Sequence, residues 1–290
     1  MKFDKNTKIL IVGLGLIGGS YAKALSDEEY FVGAIDKKKS SVEYALKNGL
    51  IQVGETSVKK DFVKDFDLIV FALYPHDFIN WIKEYQSSIK SGALITDVTG
   101  VKSFVVENVQ KILRGDLEFV GAHPMAGKEV SGVENADPKI FVGANYIVTP
   151  TKRNTDENVQ AVQDLGRALG FERVSSLSPE EHDETVGFLS HLTHCIAVSL
   201  MVSKKSHHLA EYTGDSFRDL TRIAKINDEM WSELFLANKD ELLKQMDLFE
   251  EKFNQLKEDI KNDNREKIRE TLRESTARRK VFDKDAKETK

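Results

Sequence analysis

One histidine stands where a general base would be useful. His123 follows a short apolar run, residues 118–122, and opens the sequence His-Pro-Met-Ala-Gly. A histidine whose pKa is near neutrality can take a proton from a substrate hydroxyl. Because ligands bind beyond the carboxyl ends of the strands in a parallel sheet, the place of His123 just after a predicted strand favours a catalytic role. The alternative is a structural histidine in a loop, and position alone leaves both interpretations open.

A glycine-rich turn provides a candidate site for a dinucleotide. Residues 13–18 read Gly-Leu-Gly-Leu-Ile-Gly and lie between a predicted strand, residues 9–12, and a predicted helix, residues 16–26. In this pattern the first glycine permits the tight turn, the second lets the backbone approach a pyrophosphate, and the third lets helix and strand pack closely. The phosphates would lie at the amino terminus of the helix. The predicted cofactor-binding residues of this turn are Gly13, Gly15, Leu16, Ile17 and Gly18.

Asp36 indicates which dinucleotide would bind. It follows the second predicted strand, residues 30–35, at the place where a carboxylate binds the 2′-hydroxyl of the ribose. The carboxylate would repel the 2′-phosphate of NADP, so NAD is the predicted cofactor. Three lysines come next and could attract that phosphate, which keeps NADP as the less favoured alternative; they are Lys37, Lys38 and Lys39.

Two further groups of polar residues lie in the carboxy-terminal part of the chain. His191 and His194 are three residues apart, on one face of a predicted helix. They lack a convincing third ligand, so we predict no metal site and interpret them as pocket or interhelical hydrogen-bonding groups. Arg218 and Arg222 lie among apolar residues, ahead of Trp231. An arginine can bind a carboxylate with two hydrogen bonds and so hold a small anionic substrate; surface salt bridges are the alternative.

The elements that must position these groups fall into two parts. Short apolar runs, turns and amphipathic stretches alternate through the first part, which is typical of βαβ units with a parallel sheet covered on both faces. Ser178 then begins a helix, with a proline next and Glu181 completing a capping box, and no strand is predicted after it. We therefore predict an α/β Rossmann-type nucleotide-binding domain, residues 1–177, followed by an all-α dimerisation domain, residues 178–290. The remaining predicted elements of the first domain are strands at residues 67–73, 93–96, 118–122, 146–149 and 173–174 and a helix at residues 155–169.

Composition excludes several classes of protein. A chain of 290 residues has the length of about two domains, and 40% hydrophobic residues exclude wholesale disorder. A net charge of −5 argues against a nucleic-acid partner, since such proteins are usually basic. A single cysteine, Cys195, cannot form an internal disulfide, which favours the cytoplasm. Residues 9–22 could be mistaken for a secretory signal, but their glycines fit the nucleotide-binding turn better, and no other apolar run approaches the ~18 residues of a membrane span.

An apolar heptad pattern lies near the end of the predicted helical domain. Leucine, methionine, phenylalanine and isoleucine recur there at intervals of four and three residues. Such a seam packs either on helices of the same chain or on a second copy, and a homodimer with interlocked subunits would do both. The last thirty residues carry eleven basic and seven acidic residues, which predicts a solvated, frayed helix. The seam consists of Leu242, Met246, Phe249, Phe253, Leu256 and Ile260.

Five motifs, taken in order, resemble the prephenate dehydrogenase family, which includes arogenate dehydrogenases. The resemblance runs from about residue 8 to residue 250 and implies NAD-dependent oxidative decarboxylation of prephenate to 4-hydroxyphenylpyruvate, a step in tyrosine biosynthesis, by a homodimer. Three alternatives stay open: an arogenate dehydrogenase, another two-domain hydroxyacid or imine dehydrogenase, and a catalytically silent NAD-binding sensor. The motifs are residues 13–18, 97–102 (Asp-Val-Thr-Gly-Val-Lys), 123–127, 190–194 (Ser-His-Leu-Thr-His) and 217–224 with Trp231.

The resemblance also implies roles for single side chains. His123 would accept a hydrogen bond from the 4-hydroxyl of the substrate ring, and Arg222 would bind the ring carboxylate that leaves as carbon dioxide. Glu129 stands where the family often has an acid, which can pair with a pocket arginine. The other side chains that the resemblance places in the pocket are His194, His191 and Trp231.

One position departs from the family pattern. The family usually has a serine in its Asp-x-x-Ser-x-Lys motif, and that serine helps to orient the catalytic histidine. This chain has Gly100 there, with Thr99 beside it. Thr99 could supply the missing hydroxyl, and we count it with His123 and His194 among the predicted catalytic residues.

Overall fold

The computed structural model describes residues 1–205 and 208–282. It divides into two compact units, Met1–Glu241 and Leu242–Lys290. Residues 283–290 of the predicted frayed tail lie outside the described residues.

Six strands of the first unit form a parallel sheet in the order β3-β2-β1-β4-β5-β6. Successive residues of β1 enter two different hydrophobic clusters, Ile9 and Ile11 on one face, Leu10 and Val12 on the other. The sheet is therefore buried on both faces, which is why its strands are short continuous apolar runs. This is the predicted Rossmann-type arrangement, which is confirmed. The strands are β1 (Lys8–Val12), β2 (Phe31–Ile35), β3 (Val53–Glu55), β4 (Leu68–Phe71), β5 (Leu94–Asp97) and β6 (Glu118–Phe119).

Helices connect these strands and cover the sheet. The sequence analysis located the first and the last of them, and it did not predict β3, whose Val-Gly-Glu sequence has no apolar periodicity. The helices are α1 (Leu16–Asp27), α2 (Lys39–Lys47), α3 (Lys60–Val63), α4 (Pro75–Tyr85), α5 (Ser103–Ile112) and α6 (Asp156–Ala168).

A second sheet carries His123. Its strands are β7 (Gly121–Pro124), β8 (Asn145–Thr149) and β9 (Arg173–Ser176), in that order, with β7 antiparallel to β8. The strand predicted at residues 118–122 is thus two strands, and His123 lies inside β7 opposite Ile147, not beyond the end of a parallel strand as predicted. A Cβ at Gly121 would lie 2.5 Å from Oγ1 of Thr149. The close approach that only glycine permits lets the chain pass from one sheet to the other.

After β9, every described element is a helix or a helical turn. The first of these helices begins where the sequence predicts, because Ser178 accepts a hydrogen bond from the amide of Glu181 and the Glu181 carboxylate accepts one from the amide of Ser178. The helices are α7 (Pro179–Val186), α8 (Thr193–Val202), α9 (Asp215–Thr221), α10 (Asp228–Ala237), α11 (Lys239–Lys261) and α12 (Arg265–Arg279).

A π-helical turn, Gly187–Leu192, joins α7 and α8 into one helical stretch, Pro179–Val202. Among the described residues this stretch of 24 residues alone is long and apolar enough to cross a membrane, since a segment of 18 residues within it has a mean hydropathy of 1.5. Core helices of globular proteins pass the same test, although only 28% of this segment is buried. Here the stretch contains His182, Asp183 and His191, whose side chains are buried within the first unit. Within the apolar segment, His191 and His194 interrupt the apolar residues, so the sequence shows no continuous apolar run of the length of a membrane span.

The second unit contains most of α11 and all of α12. The apolar seam lies on α11, and Met246, Phe249, Phe253 and Ile260 are exposed on its surface. No residue of α12 is buried, in agreement with the predicted solvated helix.

Candidate active site

The glycine turn between β1 and α1 has the geometry of a dinucleotide-binding loop. Gly13 has a φ of +98°, and a Cβ there would lie 2.4 Å from the carbonyl oxygen of Ala72. A Cβ at Gly18 would lie 1.9 Å from the carbonyl oxygen of Gly13. Gly15, in contrast, has no protein atom within 4 Å of its would-be Cβ. The first and third glycines are required by the fold, whereas the second faces open space at the start of α1, where Leu16 and Ile17 follow.

Asp36 closes this loop from the end of β2. One carboxylate oxygen accepts the amide of Leu14 at 2.6 Å, and the other accepts the amide of Lys38 at 2.7 Å. These bonds hold the carboxylate beside the glycine turn. The loop and the acid together fit a dinucleotide whose ribose has a free 2′-hydroxyl.

His123 is hydrogen-bonded to a second histidine. Its Nδ1 lies 2.8 Å from Nε2 of His182, which projects from α7 and is completely buried. Burial lowers the pKa of His123 well below its ordinary value, and His182 and Lys102 act in the same direction. His123 is therefore a neutral imidazole at pH 7, the form that can accept a proton.

Asp183 anchors the second histidine. Its Oδ1 lies 2.8 Å from Nδ1 of His182, and its two oxygens accept the amides of Lys102 and Ser103, each at 2.8 Å. Burial acts to raise the pKa of Asp183, but the hydrogen bond from His182 and that from the Lys102 amide leave it below its ordinary value. Hydrogen bonds thus link His123 to His182, and His182 to the Asp183 carboxylate.

Thr99, a predicted catalytic residue, belongs to a different buried cluster. Its hydroxyl bonds to the carboxylate of Asp97 and to the carbonyl of Val101, and it also lies 3.1 Å from Nζ of Lys102. Lys102 in turn pairs with Asp97 at 2.6 Å, with both side chains completely buried. The buried ion pair uses the Thr99 hydroxyl, and Nδ1 of His123 is occupied by His182.

Gly100 lies against the ring of His123. A Cβ at this position would be 3.8 Å from Cε1 of His123 and 3.5 Å from the methyl groups of Leu234. These are ordinary van der Waals distances, so the loop has room for a small side chain that the chain does not supply.

The predicted pocket histidines surround Trp231 of α10. The ring of His194 stacks on Trp231 at 3.7 Å between centroids, and its Nδ1 lies 2.8 Å from the carbonyl of Ser190. His191 is buried, approaches Trp231 edge-on at 6.0 Å, and lies 3.2 Å from the side-chain amide of Asn238. Burial lowers the pKa of His191 to about 4. The structure therefore brings these three predicted residues together as an aromatic cluster.

Arg222 forms an ion pair with Glu129. Both side chains are exposed to solvent, the arginine by 64%. An exposed pair of this kind contributes little to stability, on the order of 0–1 kcal/mol. The guanidinium can therefore exchange its partner for another carboxylate at small cost.

His182 and Asp183 were not predicted from the sequence. The available signal was a histidine beside an aspartate in the first two turns of a helix that begins with a capping box. Nothing in the local pattern says that this helix packs against the loop that follows β5, so neither residue could be assigned to His123 from sequence.

Comparison with family models divides the chain into two parts. Residues 21–173 match the model described as "Prephenate dehydrogenase, nucleotide-binding domain". Residues 178–274 match the model described as "Prephenate dehydrogenase, dimerization domain". The two matches cover most of the chain.

Individual proteins agree with these models. Prephenate dehydrogenase of Bacillus subtilis (strain 168) is 34% identical over 250 residues, which are 82% of this chain and 66% of that protein, so the chain spans about two thirds of its length. Prephenate dehydrogenase of Lactococcus lactis subsp. cremoris is 32% identical over 257 residues, 86% of this chain and 70% of that protein. The crystal structure of prephenate dehydrogenase from A. aeolicus in complex with hydroxyphenyl propionate and NAD⁺ has a TM-score of 0.87 and 34% identity, and the match covers 96% of this chain and 98% of that one.

Proposed function

The chain belongs to the prephenate dehydrogenase family, and we propose that it oxidises and decarboxylates prephenate to 4-hydroxyphenylpyruvate with NAD. One observation carries this proposal. A dinucleotide-type glycine turn and a neutral histidine with an engaged Nδ1 occur in the same compact unit. A hydride acceptor and a proton acceptor are the two groups that the reaction requires.

The residues of the glycine turn fit NAD. Gly15 leaves the backbone open to the pyrophosphate, and the amino terminus of α1 favours its charge. Asp36 would bind the ribose hydroxyls. When bound, NAD supplies the group that accepts hydride from C4 of the substrate.

His123 would act at the C4 hydroxyl of prephenate. Its Nε2 accepts the hydrogen bond and then the proton of that hydroxyl, while C4 loses its hydrogen together with the bonding electron pair. The electrons of the bond between C1 and the ring carboxylate complete the aromatic ring, and carbon dioxide leaves. The phenolic oxygen then recovers a proton. The protein contributes placement and control of charge.

Arg222 would bind the ring carboxylate. Because its pair with Glu129 is solvent-exposed, the substrate carboxylate can replace Glu129 at the guanidinium. His194, His191 and Trp231 would line the remainder of the pocket, with the stacked His194 ring nearest to a polar substituent.

Arogenate is the second candidate substrate, since it differs from prephenate only in an amino group in place of the side-chain keto group. The experiment that tests the proposal is the measurement of kcat/KM for both substrates, each with NAD and with NADP. We expect prephenate with NAD to give the highest value. A higher value for arogenate would move the assignment to an arogenate dehydrogenase.

We also propose that two copies of the chain form a homodimer in the cytoplasm, with the domain boundary at residue 178. The match to a dimerisation domain and the exposed apolar residues on α8 and α11, such as Val202 and Phe253, support this assembly. Cys195 is free, which agrees with a reducing compartment. Sedimentation velocity tests the dimer, and a monomer at all concentrations would contradict it.

A further inference from the structure

Two buried polar residues lie behind His123, away from the groups that would contact substrate or NAD. His182 is completely buried and Asp183 almost so, yet both keep their hydrogen-bonding groups inside the protein. A buried polar group lowers stability unless it is hydrogen-bonded, so the presence of a histidine and an aspartate in this buried place calls for an explanation. The loop beside it lacks the serine that the family pattern expects, because Gly100 stands there.

We propose that His182 and Asp183 are positioning residues, which fix the orientation and the tautomer of His123 in place of the absent serine hydroxyl. This inference rests on the proposed function, in which His123 is the proton acceptor. The residues involved lie on β7, on α7 and in the loop after β5, which the fold brings into contact.

The Asp183 carboxylate determines which atom donates in each of the hydrogen bonds that link Asp183, His182 and His123. Asp183 has only acceptors, so Nδ1 of His182 must carry the proton that lies between them. Nε2 of the neutral His182 is then an acceptor, and the proton of the next bond belongs to Nδ1 of His123. The second nitrogen of His123, Nε2, is thereby left with a free lone pair. This is the tautomer that a base acting through Nε2 requires.

Asp183 is itself held in place by backbone. The amides of Lys102 and Ser103 donate to its two oxygens, so its orientation does not depend on the hydrogen bond to His182 alone. When His123 accepts a proton, its positive charge is linked through His182 to the negative charge of the Asp183 carboxylate. Such an arrangement offsets part of the cost of forming an imidazolium in a buried place, as the buried aspartate does for the histidine of the Ser-His-Asp triad.

Neither Thr99 nor Gly100, in the loop after β5, provides a hydrogen-bond partner for Nδ1 of His123. The Thr99 hydroxyl belongs to the Asp97 and Lys102 cluster. Gly100 has no side chain, although a Cβ there would reach van der Waals contact with the His123 ring. The partner that the family pattern places on the loop is supplied here by α7.

Substitutions at His182 separate hydrogen bonding from packing. In His182→Gln, the amide oxygen can occupy the place of Nε2 and still accept from His123. In His182→Leu, the volume is kept and the acceptor is lost. Val186→Ala, one turn further along α7 and also buried, is the matched control for a packing defect. We expect His182→Leu to lower kcat by about 10²-fold or more with an unchanged Kd for NAD, and His182→Gln to stay within about tenfold of the wild type.

Val186→Ala should lower Tm and leave kcat within about threefold of the wild type. Equal losses of kcat in His182→Leu and His182→Gln, or wild-type kcat in His182→Leu, would overturn the proposal.

A spectroscopic test is independent of turnover. In ¹⁵N-histidine NMR of the NAD-bound protein, His123 should carry its proton on Nδ1. In His182→Leu, Nδ1 of His123 loses its acceptor, so the preference for the Nδ1 proton should weaken and the proton should redistribute toward Nε2. A proton on Nε2 in the wild type, or an unchanged tautomer in His182→Leu, contradicts the proposal. If the wild type turns over neither prephenate nor arogenate, the proposed function fails, while this experiment still decides the tautomer.

Discussion

Nδ1 of His123 lies 2.8 Å from Nε2 of His182, although 59 residues separate the two in the sequence. The first histidine comes from a strand of the small second sheet and the second from the first helix after the sheets. Their contact links the matched nucleotide-binding region to the matched helical region at the candidate base. This contact orients the half-buried His123 and leaves its other nitrogen open.

Gly15→Ala should weaken the binding of NAD without destabilising the protein. No protein atom lies within 4 Å of the new methyl group, which instead enters the space of the pyrophosphate. We expect the Kd for NAD to rise at least about tenfold, about 1.4 kcal/mol, by calorimetry with an unchanged Tm. Gly115→Ala, also in open space, is the control. Gly18→Ala should lower Tm, because its methyl would lie 1.9 Å from a carbonyl oxygen. Wild-type affinity in Gly15→Ala would refute this cofactor site.

Asp36→Ser should shift the preference from NAD toward NADP. The serine removes the charge that repels a 2′-phosphate and leaves the three lysines that follow it, residues 37–39. We expect the ratio of kcat/KM with NADP to kcat/KM with NAD to rise at least about tenfold, in steady-state kinetics with each cofactor. The KM for prephenate should not change. An unaltered ratio would show that Asp36 does not select the cofactor.

Arg222→Ala should weaken substrate binding. A carboxylate that loses an exposed guanidinium partner loses about 1 kcal/mol, which corresponds to a rise in the KM for prephenate of roughly fivefold. Because the arginine is 64% exposed, Tm should stay unchanged. Arg218→Ala, on α9, removes the same charge one turn earlier and serves as the control, with an expected KM near the wild type. A wild-type KM in Arg222→Ala would contradict the role.

The protein should become less stable as the pH falls below about 6.5. Burial lowers the pKa values of His123, His182 and His191, the last to about 4. Below the pKa of the unfolded state, the unfolded chain takes up protons that the folded chain does not, so stability is lost as the pH falls. Each such histidine contributes a slope of up to about 1.4 kcal/mol per pH unit between its two pKa values.

Urea unfolding at pH 7 and pH 5 measures this slope. His191→Gln should flatten it, whereas His208→Gln should not, since His208 is exposed. A free energy of unfolding that is equal at the two pH values would argue against neutral buried histidines.

Most of the fold could be predicted from local sequence patterns. The strand and helix beside the glycine turn, the capping box at Ser178 and the all-helical end of the described chain follow from periodicity and from capping chemistry. The break between β6 and β7 did not, because a continuous apolar run does not reveal that its second half pairs with β8.

In the candidate site, too, some residues could be predicted from the sequence and others could not. His123 and Asp36 stand out as polar residues at the ends of apolar runs, which sequence shows. His182 contacts His123 on a distant strand, and the Thr99 hydroxyl lies in a cluster with a buried ion pair. Both depend on tertiary packing, which a single sequence does not encode in any local pattern.

The direct test of the account is the product stoichiometry with prephenate and NAD, compared between the wild type and His123→Asn. The account predicts that the wild type forms NADH, carbon dioxide and 4-hydroxyphenylpyruvate in equal amounts. In His123→Asn, kcat should be lower by about 10²- to 10⁴-fold with the Kd for NAD unchanged, because the general base is lost. Wild-type turnover in His123→Asn, or NAD binding by the wild type with no NADH formed from prephenate or arogenate, would contradict it; the second result would indicate a non-catalytic NAD-binding sensor.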